Sequence, residues 1–239
     1  MAENLIALED CGGYAIITLK QSVLSVDAQQ QLLEVLKQTV GKYPAMIVTG
    51  SGPVFCEGFE QTNNKEYSRQ GHAHTALVEA IRTHPAVFIA AVNGRAISDG
   101  VSLVNVCDLA IAAENTELSL PEITKSTYPT VAGPSTQLRI LRKHASWMIL
   151  TGKPVAAPMA ARWGLINKAV PAEQLMPAAR ATAEGIAKLN PVTVDWSKKA
   201  MDDIPAHVSD WTAALEYGRA VTAVIQNQIG KENFMPKKF

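Results

Sequence analysis

Residues 89–108 read IAAVNGRAISDGVSLVNVCD, and this stretch decides the fold. It continues an apolar run that begins at Val87 and ends at Asn93-Gly94. Ser98-Asp99-Gly100 then leads into a second apolar stretch. The pattern predicts a buried strand, a tight turn and the N-terminus of a helix. The first N–H groups of a helix have no acceptor inside it and sit at the positive end of its dipole. Such a terminus can hold an anion, or a carbonyl oxygen that becomes one during a reaction. The same residues also describe an ordinary strand–turn–helix crossover.

Working outward, strands are expected at 14–19, 45–49, 87–92 and 109–113, each rich in apolar or β-branched residues. Leu32, Leu33, Val35, Leu36 and Val40 recur at helical spacing within 26–40, and Gly41 closes that helix. Leu77, Ala80 and Ile81 fit a helix over 70–83, and Gly50-Ser51-Gly52-Pro53 is a loop. Strands alternate with helices through about residue 115, which argues for an α/β arrangement with βαβ crossovers. Beyond that point helices are expected at 135–150, 156–163, 171–188, 191–201 and 208–228, with Pro171 and Pro191 at helix starts. A mostly helical C-terminal third has too few strands for its own sheet. It is expected to pack on the core or on another subunit.

A chain of 239 residues at 47% hydrophobic content can bury a full core. The 22 basic and 22 acidic residues balance, which argues against binding nucleic acid or an anionic membrane through bulk charge. Met1-Ala2-Glu3-Asn4 begins no secretory signal pattern, and no apolar run is long enough to span a bilayer. Cys11, Cys56 and Cys107 have no metal-ligand spacing, so no metal is expected and a reducing cytoplasm suits them.

A second glycine-bearing turn, Phe55-Cys56-Glu57-Gly58-Phe59, follows the strand at 45–49. If both strands lie in one sheet, the two turns share an edge and aim N–H groups at one spot. The ordered series of these residues with Ala90 to Gly100, Cys107-Asp108, Leu120-Pro121-Glu122, Leu150-Thr151-Gly152-Lys153 and Ala156 to Ile166 resembles the crotonase (enoyl-CoA hydratase/isomerase) superfamily. The resemblance covers roughly residues 5 to 190. It implies an α/β fold with a ββα spiral core over 1–190 and a C-terminal helical trimerisation region over 191–239, in a trimer or a dimer of trimers.

In that family two backbone N–H groups form an oxyanion hole for an acyl-thioester carbonyl. By position the donors here are Phe59, after Gly58, and Asp99, before Gly100. Donors of this kind contribute about 3 kcal/mol each in comparable sites. The family usually has glycine where Asp99 stands. A carboxylate pointed inward repels an enolate, so this one is expected to point away or be neutralised; it also suits a helix cap.

Hydratases of the family use two glutamates. One survives in Pro121-Glu122, whereas the other position falls on Ser102. Hydration needs a base for water and an acid for the α-carbon, but a single carboxylate can shuttle a proton between carbons. The resemblance therefore implies an enoyl-CoA isomerase with Glu122 as acid/base. Decarboxylation or C–C hydrolysis, with Tyr128 or a histidine as proton donor, is the lyase alternative. Hydration and a catalytically silent thioester binder complete the set.

Tyr128 lies in a loop that borders the acyl pocket in the family, as a polar contact or a pocket wall. Glu57 lines the site or faces solvent. His72 and His74 follow the first turn, as proton donors or as surface histidines. His84, His144 and His207 read as structural, and Cys56 as a small buried residue. Residues 19–26, LKQSVLSV, lack the family's Asn-Arg-Pro stretch that helps hold CoA, and the charged C-terminal segment is reduced to Lys231 and Pro236-Lys237-Lys238. The acyl group is thus expected on CoA or on a carrier protein's phosphopantetheine. Either is part of the substrate, and no separate cofactor is expected.

Overall fold

The computed structural model describes residues 3–58, 60, 64–208 and 210–234, and for 64–73 and 231–234 the backbone only. The chain opens with β1 (Ile6–Asp10) and β2 (Ala15–Leu19), followed by α1 (Val26–Thr39). Ser25 starts α1 by accepting the Ala28 N–H at 3.2 Å, which satisfies a first-turn donor. One pattern then repeats: a long buried strand, a short strand and a helical segment. Its first copy is β3 (Ala45–Gly50), β4 (Val54–Cys56) and α2 (Asn64–Thr83). The second is β5 (Val87–Val92), β6 (Arg95–Ile97) and α3 (Asp99–Val106). The third is β7 (Leu109–Ala113), β8 (Glu117–Ser119) and a 3-10 turn, Pro121–Lys125. After them come α4 (Ala132–Arg139), α5 (Arg142–Thr151), β9 (Val155–Ala156), α6 (Ala157–Arg162) and β10 (Lys168–Val170). The helices α7 (Leu175–Ala187), α8 (Pro191–His207) and α9 (Trp211–Phe234) end the chain.

The long strands, with the short β10 at one edge, form a six-stranded sheet in the order β1-β2-β3-β5-β7-β10, parallel except for β1. Side chains alternate across it with the strand period of two. Ile16, Ile47, Ile89 and Ile111 face α7, which meets them with Leu175, Ala179 and Ala183 at successive four-residue steps. Ile17, Val48, Ala90 and Ala112 face the main core, with Leu32 and Leu36 of α1 and Leu77 and Ile81 of α2. Burial on both faces is why these strands are apolar throughout rather than alternating.

The short strands form a second sheet, β4-β6-β8-β9. Asn93-Gly94 is therefore not a tight turn into a helix: the chain crosses there from the large sheet to the small one. The Asn93 amide ties this crossover to the preceding one. Its Oδ1 accepts from the Gly50 N–H at 2.9 Å and the Thr49 hydroxyl at 3.2 Å, and its Nδ2 donates to the Gly52 carbonyl at 2.8 Å.

Two further expectations are corrected. The helix expected over 135–150 is broken at Ile140-Leu141, where both residues are extended. The apolar spacing on either side carries the same period, so the pattern alone does not reveal the break. The C-terminal third also contributes β9 and β10, one to each sheet, and these are too short to show periodicity.

Lys198 docks α8 on the core: its Nζ donates to the carbonyls of Ile81 and Ala86, at 3.3 and 2.9 Å, and to Asp108 at 2.9 Å. α9 lies along α8, with Tyr217 donating to Asp203 and Trp196 to Gln228. No described residue of α8 or α9 is fully buried within the single chain. No helix among the described residues is long and apolar enough to cross a membrane.

Candidate active site

Because β4, β6 and β8 run parallel, their C-terminal ends share one edge of the small sheet. Just past those ends stand Glu57-Gly58, Ser98-Asp99 and Pro121-Glu122 respectively. The strands at 45–50 and 87–92 do pair in one sheet, yet it is the second sheet that aligns the turns.

The first two turns touch. Gly58 has φ +110°, and a Cβ there would stand 3.4 Å from Ser98 Cβ and 3.8 Å from Asp99 Oδ2. Only glycine adopts that φ readily. Gly100 rests on the carbonyl of Cys56, where a Cβ would lie 2.0 Å from the oxygen. Phe59, the expected first oxyanion donor, lies outside the described residues.

Ser98 carries the strain of the second turn, at φ 53° and ψ −116°. A non-glycine residue held there costs about 1–3 kcal/mol. Its N–H is anchored on the Ser119 carbonyl of β8 at 3.0 Å, and its carbonyl accepts from Val101 at 2.9 Å. That carbonyl is the first acceptor of α3, so the N–H groups of Asp99 and Gly100 lie ahead of the helical ladder. Asp99 is thus the first residue of the helix and not its cap, and its charge complements the helix dipole.

The Asp99 carboxylate lies between α2 and the first turn. Its Oδ1 lies 3.7 Å from His74 Nε2, its Oδ2 faces Gly58, and the side chain is 28% exposed. Burial lowers the His74 pKa to about 4, so the imidazole is uncharged and the contact is not an ion pair. Two like charges 4 Å apart repel by about 4 kcal/mol at an effective dielectric of 20, so where this carboxylate points matters to any oxyanion beside it.

Ser102 is fully buried, with Oγ 2.7 Å from the Asp99 carbonyl and 2.9 Å from His74 Nε2. An imidazole from α2 therefore stands against the position where the family's other glutamate would project. His74 itself is 1% exposed, a correction to its reading as a surface histidine. Its spacing held the signal: His74, Leu77 and Ile81 fall at i, i+3 and i+7, on the buried face of α2. The side chain of His72 lies outside the described residues.

Glu122 sits in the 3-10 turn that Pro121 begins, a position where proline's missing N–H does no harm. Its carbonyl accepts from the N–H of Thr127 at 3.1 Å and from that of Ser126, which fixes its backbone. Its Oε2 is enclosed and makes no hydrogen bond to a described group. Tyr128 is half exposed, and its phenol accepts from Gln137 at 2.9 Å. Glu57 pairs with Arg95 of β6. Cys56 is buried, which pushes its thiol up to about 12 and makes it a poor nucleophile. His84 accepts from the Ala86 N–H at 3.1 Å, His144 stacks on Trp163, and His207 ends α8. Among the described residues no cluster of three or more metal-ligating side chains is placed to hold an ion.

The family model for Enoyl-CoA hydratase/isomerase matches residues 12–231. The chain is 32% identical over 209 residues to rat (Rattus norvegicus) enoyl-CoA hydratase domain-containing protein 3, mitochondrial, covering 81% of this chain and 67% of that protein. It is likewise 32% identical over 169 residues to a probable mitochondrial enoyl-CoA hydratase of Dictyostelium discoideum, covering 66% and 58%. Such matches span from half to two thirds of the relatives' length. The solved enoyl-CoA hydratase of Bacillus anthracis superposes with a TM-score of 0.87 at 26% identity, over 92% of this chain and 90% of that one. The match along nearly the whole chain and the shared two-sheet architecture carry one conclusion: the chain belongs to the enoyl-CoA hydratase/isomerase family and has the crotonase fold.

Proposed function

We propose that the protein acts on an acyl thioester through an enolate, and that its reaction is isomerisation by proton transfer on one carboxylate. In this reading the N–H groups of Phe59 and Asp99 hold the thioester oxygen. Glu122 takes a proton from C2 of a 3-enoyl thioester and returns it to C4 of the resulting dienolate, which leaves the double bond at C2. The observation that carries it is the contrast between two positions. Glu122 keeps an enclosed carboxylate oxygen with no hydrogen-bond partner among the described residues, while position 102 holds a buried serine backed by His74. A second acid/base for water is missing there.

Hydration is the second reading, favoured by the names of the relatives. In carbon–carbon cleavage Tyr128 is the proton donor: its phenol accepts from Gln137 and keeps its own proton to give. Glu57, held by Arg95, and Gly58 and Gly100, which shape the turns, act on the site's form more than on substrate. CoA or phosphopantetheine enters as part of the substrate, and the exposed faces of α8 and α9 suit burial in a trimer. The test is product analysis with 3-hexenoyl-CoA, crotonyl-CoA and malonyl-CoA. Isomerisation yields 2-hexenoyl-CoA from the first. Conversion of crotonyl-CoA to 3-hydroxybutyryl-CoA without isomerisation supports hydration, CO₂ from malonyl-CoA supports decarboxylation, and binding without turnover supports a silent binder.

A further inference from the structure

We infer that the outer face of α5 and the 3-10 turn beside it form a docking surface for an acidic protein, the carrier to which the acyl thioester is tethered. This rests on the reading of the site as one that takes an acyl thioester. The balanced charge of the whole chain conceals a strong asymmetry. Residues 123–172, which begin directly after Glu122, hold seven lysines and arginines and no aspartate or glutamate. All seven are exposed, and none pairs with a carboxylate of a described residue. Elsewhere Arg82, Arg95, Arg180, Lys198 and Lys199 each hold such a partner. Unpaired cations gathered without an acid among them give a positive potential that steers an acidic partner.

Part of this span gathers on one face. Lys143, Trp147 and Leu150 fall at i, i+4 and i+7 of α5 and are all exposed, whereas Ala145, Met148 and Ile149 turn inward. Lys153 stands over the Trp147 ring, 5.8 Å from its centre. Gly152 packs on the 3-10 turn so closely that a Cβ would lie 3.2 Å from the methyl groups of Ile123 and Thr124. Ile123 and Lys125 of that turn are exposed as well. The surface thus has an apolar centre of Trp147, Leu150 and Ile123 and a rim of lysines, the layout of a protein interface. A twofold contact with a second copy through this face would set lysine against lysine. An acidic helix with apolar residues at its centre fits instead. The same 3-10 turn carries Glu122, so a carrier seated here stands beside the site that its acyl arm must enter.

The test uses the full-length protein and a purified acidic acyl carrier protein bearing 3-hexenoyl-phosphopantetheine. Binding is read from the fluorescence anisotropy of a label on the carrier, and kcat/KM is compared between this carrier and 3-hexenoyl-CoA. Lys143→Glu with Lys153→Glu is expected to weaken carrier binding by about tenfold or more and to lower its kcat/KM equally. For the CoA thioester kcat/KM should change by less than about twofold, because neither lysine belongs to the site. Trp147→Ala should weaken carrier binding by about tenfold, as loss of a central aromatic does. If the reversed pair does not fold, Lys143→Gln with Lys153→Gln decides, with a smaller loss in the same direction. Unchanged carrier binding in these variants would overturn the inference, and so would equal losses with both thioesters. Wild type that converts the CoA thioester but does not bind the carrier would overturn it and leave the function standing. Carrier binding without turnover of either thioester would keep the docking surface and overturn the isomerase reading. With carrier binding unchanged, a shift in sedimentation of the reversed variant would give the face to a second copy. Loss of wild-type binding to vesicles of phosphatidylcholine and phosphatidylserine would, in the same circumstance, give it to a membrane; either overturns the inference.

Discussion

Gly100 lies on the carbonyl of Cys56, so closely that a Cβ would stand 2.0 Å from that oxygen. The contact joins the start of α3 to the end of β4, and through it the second turn to the first. Neither partner atom is a flexible side chain, so the backbone must move to admit a methyl group. Gly100→Ala is expected to destabilise the protein by about 3 kcal/mol or more, as overpacking does when nothing can yield. Urea unfolding measures it; a loss below 1 kcal/mol would show that the two turns are not rigidly coupled.

Glu122→Gln keeps the shape of the carboxylate and removes its basicity. If Glu122 is the acid/base, turnover of 3-hexenoyl-CoA should fall by about a thousandfold, the middle of the range for general-base loss. KM should change little, because the side chain makes no hydrogen bond to a described group that would be lost. Retention of full turnover ends the isomerase reading.

His74 governs acid stability. Its pKa is about 4 in the fold because burial disfavours the charged form, and 6.5 when exposed. Between those values the unfolded chain binds a proton that the native chain does not, so stability rises with pH there. The contribution is fully present above pH 6.5 and is lost as pH falls toward 4, by about 3 kcal/mol in all. His84 is shifted down by burial as well and adds to the same slope. Thermal unfolding of wild type and His74→Gln across this window is expected to show a shallower slope in the variant.

Lys198 is nearly buried and bridges two main-chain carbonyls and Asp108. Lys198→Ala leaves Asp108 and both carbonyls without that donor, a loss of about 2 kcal/mol on the scale of hydrogen bonds to a charged group. Hydrogen exchange is expected to rise first in α8 and α9, because this contact docks α8. Uniform exchange throughout the chain would contradict that docking role.

Periodicity and turn chemistry carried β2, β3, β5, β7, α1, α3 and α7 to within a few residues, since each has a strong apolar pattern, but placed the start of α2 six residues late and missed β1, whose IALED is mostly exposed. They missed β4, β6, β8, β9 and β10, which are two or three residues long and have no period to read. That omission turned a crossover between sheets at Asn93-Gly94 into a simple turn. The site residues were legible as types and motifs, whereas the partners of Asp99 were not.

By itself the sequence determined the family, the two glycine turns, the carboxylate at 122 and its absence at 102, because all of these are local facts of residue order. The tertiary structure alone decided that a second sheet aligns the three turns. It also decided that Glu57 belongs to Arg95 and that His74 comes from another helix to fill the place beside Ser102. Strand pairing and helix packing join residues 28 apart in the chain, as between His74 and Ser102, and no local pattern encodes such a meeting.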